Sequence, residues 1–304
     1  MKIEETINKA SILCEALPYI QKFRKALMVI KFGGSSMEDP ELVKSTMRDI
    51  VLMECIGFSP VVVHGGGKAI SAELKKQDIP VEFVNGLRNT CERTIKVVDK
   101  VLHEVNRDLV ALANNAGGNT VCLSGKDIFT AKRTYAVDPV SGEKKSIGFV
   151  GEIIKVDTDK IMNIIADGKT PVITPLGVGE DGQIYNINAD VAACKVAQAI
   201  RSRKLVFLSD VPGIMRDPSD ESSVIQTICT TEVDGLIQEK ILSGGMLPKI
   251  KSSIDALNAG VNKVHMIDGR MLHSLLLLWH RSRRKRRPSR ESEASWPFAR
   301  RIRL

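Results

Sequence analysis

The feature that most constrains this chain is a set of short, β-branched runs that stop abruptly at glycine or a polar turn, each followed by a stretch long enough for a helix. Met28-Val29-Ile30-Lys31-Phe32 stops at Gly33-Gly34, and Pro60-Val61-Val62-Val63 stops at His64-Gly65-Gly66-Gly67. Such runs read as buried strands, because both faces of the pleat are apolar. The pattern predicts strands over 28–32, 60–63, 119–123, 170–174, 204–209 and 262–267. Between them it predicts helices over 40–56, 66–77, 91–115, 157–167, 189–201, 231–240 and 246–259. Strands alternating with helices dictate an α/β fold with a mainly parallel sheet and helices on both faces.

Two stretches break the rhythm. Residues 128–155, with Asp138-Pro139 and Ser141-Gly142 between apolar runs, read as a β-hairpin near the substrate end of the sheet. Residues 5–25 place Ile7, Ala10, Leu13, Leu17 and Ile20 at helical spacing, interrupted near Pro18, ahead of the first strand. An apolar helix face outside the sheet needs a cover, so residues 1–25 are read as an oligomerisation helix. The six cysteines are scattered without a Cys-x-x-Cys pair, which speaks against a zinc site or a disulfide framework. Neither a membrane span nor a signal or transit peptide is read, and a cytoplasmic enzyme is expected.

Chemistry concentrates at the strand ends. Glycines there present backbone N–H groups with no Cβ in the way, and Lys31 adds a point charge where open α/β sheets hold ligands. His64-Gly65-Gly66-Gly67 is a second such anion cradle, opening a helix. It is not a Walker A loop, since Val62 and Ala69 stand where that loop needs Gly and Ser or Thr. Lys68 reads as a solvated helix lysine, and His64 receives no chemical role. Arg88, after the Asn85-Gly86-Leu87 turn, suits a carboxylate. Asn186-Ile187-Asn188-Ala189-Asp190 offers more amide and carboxylate than a helix cap needs. Asp210 ends an apolar strand, and Ser243-Gly244-Gly245-Met246-Leu247-Pro248-Lys249 brings a second lysine to a helix start. Phosphoryl transfer needs positive charge on the moving group and the leaving phosphate, so Lys31 and Lys249 are the candidates, with Asp190 between them to hold both.

The ordered set Ile30-Lys31-Phe32-Gly33-Gly34, His64-Gly65-Gly66-Gly67, Asn85-Gly86-Leu87-Arg88, Gly148-Phe149-Val150-Gly151-Glu152, Asn186 to Asp190, Leu208 to Gly213 and Gly244 to Lys249 resembles the amino acid kinase family, in its acetylglutamate-phosphorylating branch. The resemblance covers about residues 10–275. It implies a three-layer α/β/α sandwich, and ATP-dependent phosphorylation of the side-chain carboxylate of N-acetyl-L-glutamate in arginine synthesis. It further implies that residues 26–187 bind the acceptor and 188–275 bind ATP, with magnesium carried by the nucleotide and no metal site of the protein's own. By motif, Lys31 and Lys249 would stabilise the transferring group and Asp190 would organise them. Gly33, Gly34, Gly65 and Gly66 would donate N–H groups to phosphates, and Arg88 and Asn186 would hold acceptor carboxylates. Asp210, Gly213, Gly244, Gly245 and Met246 would lie along the nucleotide. Leu13 to Ile20 resembles the N-terminal helix of the arginine-inhibited, hexameric branch, which implies a dimer or hexamer.

The chain also departs from that pattern. Phe32-Gly33-Gly34-Ser35-Ser36 leans toward aspartokinases, and Asn89-Thr90-Cys91 replaces the usual Val-Thr-Asp, so a kinase for aspartate or N-acetylaminoadipate is an alternative. From Met271 the family's Gly-rich ending gives way to an arginine-rich tail. Residues 281–304 hold ten Lys or Arg against two Glu and so carry the whole net charge of +8. The segment 276–304 is read as disordered or out of frame, although a basic tail with Trp296 and Phe298 could bind nucleic acid on a catalytically impaired protein. The altered end implies loss of a sheet-edge element and weakened control by arginine.

Overall fold

The computed structural model describes residues 3–137, 142–210, 214–217, 220, 223–225, 227–242, 246–276 and 301–303. The chain opens with α1 (Ile3–Phe23), β1 (Leu27–Phe32), α2 (Pro40–Cys55), β2 (Ser59–His64) and α3 (Gly67–Lys76). A small ribbon follows, β3 (Phe83–Val84) and β4 (Leu87–Arg88), then α4 (Glu92–Asn115) and β5 (Thr120–Leu123). Next come β6 (Phe129–Val137), β7 (Lys144–Val156), α5 (Thr158–Ala166), β8 (Thr170–Ile173), β9 (Leu176–Val178), β10 (Ile184–Asn186), α6 (Ala189–Ala199) and β11 (Lys204–Ser209). The remainder holds β12 (Ile214–Met215), β13 (Val224–Ile225), β14 (Thr227–Cys229), α7 (Val233–Gln238), α8 (Met246–Asn258), β15 (Val264–Asp268) and β16 (Arg301–Arg303).

Eight strands form one twisted sheet in the order β14-β16-β15-β11-β1-β2-β8-β5, parallel except for the β14–β16 pair. β1 lies near its middle, with Ile30 beside Val62 and Val206. Side chains alternate across the pleat. Val29, Val61, Val63 and Phe207 therefore pack under α5, α6 and α8, whereas Ile30, Val62 and Val206 pack under α2 and α4. These two cores make the three layers. The hairpin read over 128–155 is present as antiparallel β6 and β7, which close a small barrel with β9 and β10.

Two expectations change. Helix α1 runs unbroken through Pro18, which gives up only the one bond its missing N–H would have made to the Cys14 carbonyl. The tail was expected to be disordered, and its end is not, because Arg301–Arg303 enters the sheet between β14 and β15. Fully buried Ile302 sits opposite Ile228 and Val264, and this apolar residue gives the strand a core face. Residues 277–300 lie outside the described residues.

Candidate active site

The parallel register brings the ends of β1 and β2 together, with Lys31 beside Val63 and Phe32 beside His64. Alternation puts Lys31 on the same face as Val29, beneath α6. There it is 8% exposed, and its Nζ lies 3.0 Å from Asp190 Oδ1 in the first turn of α6. A buried lysine needs such a partner to stay charged. The glycine turns after the two strands touch: a Cβ on Gly33 would stand 2.8 Å from Lys31 Nζ, and one on Gly65 would stand 3.4 Å from Gly33 Cα. The Gly65 N–H donates to Phe32 O at 2.7 Å, locking the two turns side by side.

Behind these turns a cavity of about 820 Å³ opens, with Lys31, Gly65, Gly66, Arg88, Asn186 and Asp190 on its walls. Arg88, at the end of β4, is buried; its Nη2 donates to Gly67 O and Ser71 Oγ, both at 2.8 Å, and its guanidinium lies over the Phe83 ring at 4.8 Å. Burial lowers its pKa. Nη1 is enclosed without a hydrogen-bond partner among the described residues, a donor that an acidic ligand would satisfy. Asn186 closes β10, and its Nδ2 donates to Thr90 Oγ1 at 3.3 Å. Asn188 is the cap of α6, accepting from the N–H groups of Asp190 and Val191, so this motif divides between capping and the cavity.

On the other side of the β1 turn, Asp210 Oδ1 accepts the Ser35 N–H at 2.9 Å. Gly34 has φ +79°, and a Cβ there would overlap the Asp210 carboxylate at 2.2 Å. Met246 opens α8 and packs on the α6-side core. Lys249 lies one turn further on, but Asp190 pairs with Lys31 and makes no ion pair with Lys249. The sequence reading joined both lysines through Asp190; in this structure the carboxylate is engaged by the first. Gly213, Gly244 and Gly245 lie outside the described residues.

Four residues of the site carry no clear sequence signal. Thr90 is fully buried and ties Arg88 to Asn186, since its Oγ1 also donates to the Arg88 carbonyl at 2.8 Å. Ser71 and Phe83 hold the Arg88 side chain, and Glu38 pairs with Lys68 at the cavity mouth; Lys68 is exposed, as a solvated helix lysine should be. Of these, Ser71 was within reach, lying four residues after Gly67 and thus on the same helix face. Among the described residues no three His, Cys, Asp or Glu side chains gather as a metal site, and no helix is long and apolar enough to cross a membrane.

Known proteins with similar sequences and folds give the chain its family. An acetylglutamate kinase from Akkermansia muciniphila is 46% identical over 91% of this chain and 93% of its own. One from Heliobacterium modesticaldum is 44% identical, over 90% and 95%. Among solved structures, N-acetylglutamate synthase from Neisseria gonorrhoeae superposes with a TM-score of 0.76 at 24% identity, over 88% of this chain and 60% of that one. Carbamate kinase from Giardia lamblia bound to AMP-PNP gives a TM-score of 0.61 at 14% identity, over 91% and 98%. The profile of the amino acid kinase family matches residues 26–268, and the chain belongs to that family.

Proposed function

We propose that this chain transfers the γ-phosphoryl group of ATP to the side-chain carboxylate of N-acetyl-L-glutamate. The products are N-acetylglutamyl 5-phosphate and ADP, and the reaction is the second step of arginine synthesis. The observation that carries this reading is the near full-length similarity to acetylglutamate kinases, 42–46% identical over about 90% of the chain. The cavity has the matching chemistry: a fixed cation at one end and a buried arginine with an unsatisfied donor at the other.

In this reading residues 26–187 hold the acceptor and 188–275 the nucleotide. Arg88 and Asn186 grip acceptor carboxylates, and Gly66 turns its N–H group to the moving phosphoryl; the Gly65 N–H, expected to do the same, is instead given to Phe32 O, so Gly65 serves by keeping the turn free of a side chain. Lys31 and Lys249 offset charge on its oxygens, with Asp190 fixing Lys31. Gly33, Gly34, Asp210, Gly213, Gly244, Gly245 and Met246 line the nucleotide. Magnesium arrives on the ATP phosphates. The enzyme works in the cytoplasm as a homo-oligomer, a dimer or a hexamer. Support for assembly comes from α1, where Ile3, Ile7 and Leu17 are 80%, 58% and 51% exposed.

The test traps the acyl phosphate with hydroxylamine while ATP and magnesium are offered with N-acetylglutamate, aspartate or N-acetylaminoadipate. Hydroxamate should form with N-acetylglutamate. Preference for either other acceptor moves the substrate assignment, and formation with none overturns the kinase reading. Arginine, whose family-type Gly-rich segment is replaced here, should inhibit weakly or not at all; inhibition at micromolar arginine would show that the site survives the altered end.

A further inference from the structure

We propose that His64 is a positioning residue for phosphoryl transfer: its Nδ1 holds the Gly65 carbonyl and so turns the Gly66 N–H into the cavity. The inference rests on the kinase reading above. His64 is the last residue of β2, is fully buried and does not line the cavity. Its Nδ1 lies 2.7 Å from the oxygen of Gly65. A carbonyl only accepts, so Nδ1 carries the hydrogen and Nε2 the lone pair. Nε2 is buried with no hydrogen-bond partner among the described residues. Burial also pushes the imidazole pKa down to about 4, so the ring is neutral at physiological pH. The histidine thus accepts the cost of an orphaned nitrogen in order to make one bond, to Gly65.

That bond matters because of where the carbonyl sits. The Gly65–Gly66 peptide is planar and trans, so its C=O and N–H point in opposite directions. Tethering the oxygen to the imidazole turns the Gly66 N–H away from it, and Gly66 lines the cavity at the start of α3. Glycine at 65 and 66 brings no side chain to hold this conformation. The peptide before Gly65 is held by its N–H to Phe32 O, and the peptide after it by His64. The cradle is therefore fixed from both sides, as preorganised donors must be if they are to act on developing charge without reorganising.

Two variants with similar voids separate this role from packing. In His64→Asn the amide nitrogen occupies the place of Nδ1 and can still donate to Gly65; His64→Leu has comparable bulk and no donor. We expect kcat of His64→Leu to fall about tenfold or more, with KM for ATP and N-acetylglutamate changed less than about threefold, and His64→Asn to stay within about threefold of the parent kcat. Equal kcat in the two variants, high or low, overturns the proposal. Should neither fold, ¹⁵N NMR of the parent protein decides: a neutral Nδ1–H tautomer for His64 supports it, and an Nε2–H tautomer overturns it. A parent enzyme that forms no hydroxamate with any acceptor overturns the kinase reading instead, which these variants and the tautomer do not address.

Discussion

Replacing Lys31 with arginine should lower kcat about 100-fold or more while KM for both substrates moves less than about threefold. The charge survives the exchange but its position does not. Lys31 offers a compact ammonium on a buried stem, set 3.0 Å from Asp190 and pressed against the glycine turn, where even a Cβ on Gly33 would come within 2.8 Å of Nζ. A planar guanidinium is longer and wider, and its donors lie in a fixed fork. It must either push the Gly33 turn away from Gly65 or abandon Asp190. Since the moving phosphoryl group has little covalent chemistry for the protein to assist, a misplaced cation removes most of what the residue supplies. Steady-state kinetics in the hydroxamate assay measure the split, and an unchanged kcat would take Lys31 out of the mechanism.

Gly148→Ala should damage acceptor binding and stability together. Gly148 has φ +73°, where an L side chain is already strained, and a Cβ there would stand 2.1 Å from Thr90 O and 2.7 Å from Thr90 C. Both obstacles are backbone, so no side-chain rotation relieves them. The neighbouring hydrogen bonds, Thr90 N–H to Ile147 O at 3.0 Å and Phe149 N–H to Thr90 O at 2.7 Å, are what clamp β7 against the turn after Arg88. Thr90 in turn holds Asn186 and the Arg88 carbonyl. Forcing the strands apart costs at least about 2 kcal/mol and should lower Tm by roughly 5 °C. KM for N-acetylglutamate should rise about tenfold with KM for ATP much less affected, because Asp210 and α8 lie elsewhere. A parent-like KM and Tm would mean that this clamp does not hold the acceptor site.

The strand ends were legible in the sequence because their signals are local. A β-branched run meeting Gly-Gly leaves few alternatives, and the positions of Lys31 and Gly65 follow once the sheet is parallel. The β6–β7 hairpin was legible for the same reason. What escaped depends on partners distant in the chain. Strands of two or three residues, such as β3, β4, β9 and β13, have no periodicity to read and exist only because a neighbour completes their hydrogen bonds. Thr90 gives no sign of its role, since its partner Asn186 is almost a hundred residues away. β16 was hidden by its surroundings: three residues with one apolar side chain look like basic tail until Ile302 finds Ile228 and Val264. Pro18 misled in the opposite direction, because a breaker costs a long helix one bond without ending it.

The place of β16 sets an order of assembly during synthesis. β1, β2, β5 and β8 have all been translated by residue 173, so that half of the sheet can close while the rest is still being made. β14 cannot join in the same way, for its neighbour in the eight-stranded sheet is β16, more than seventy residues later. The growing chain therefore closes the β1-β2-β8-β5 half of its sheet first and carries β14 without a sheet partner until residues 301–303 emerge.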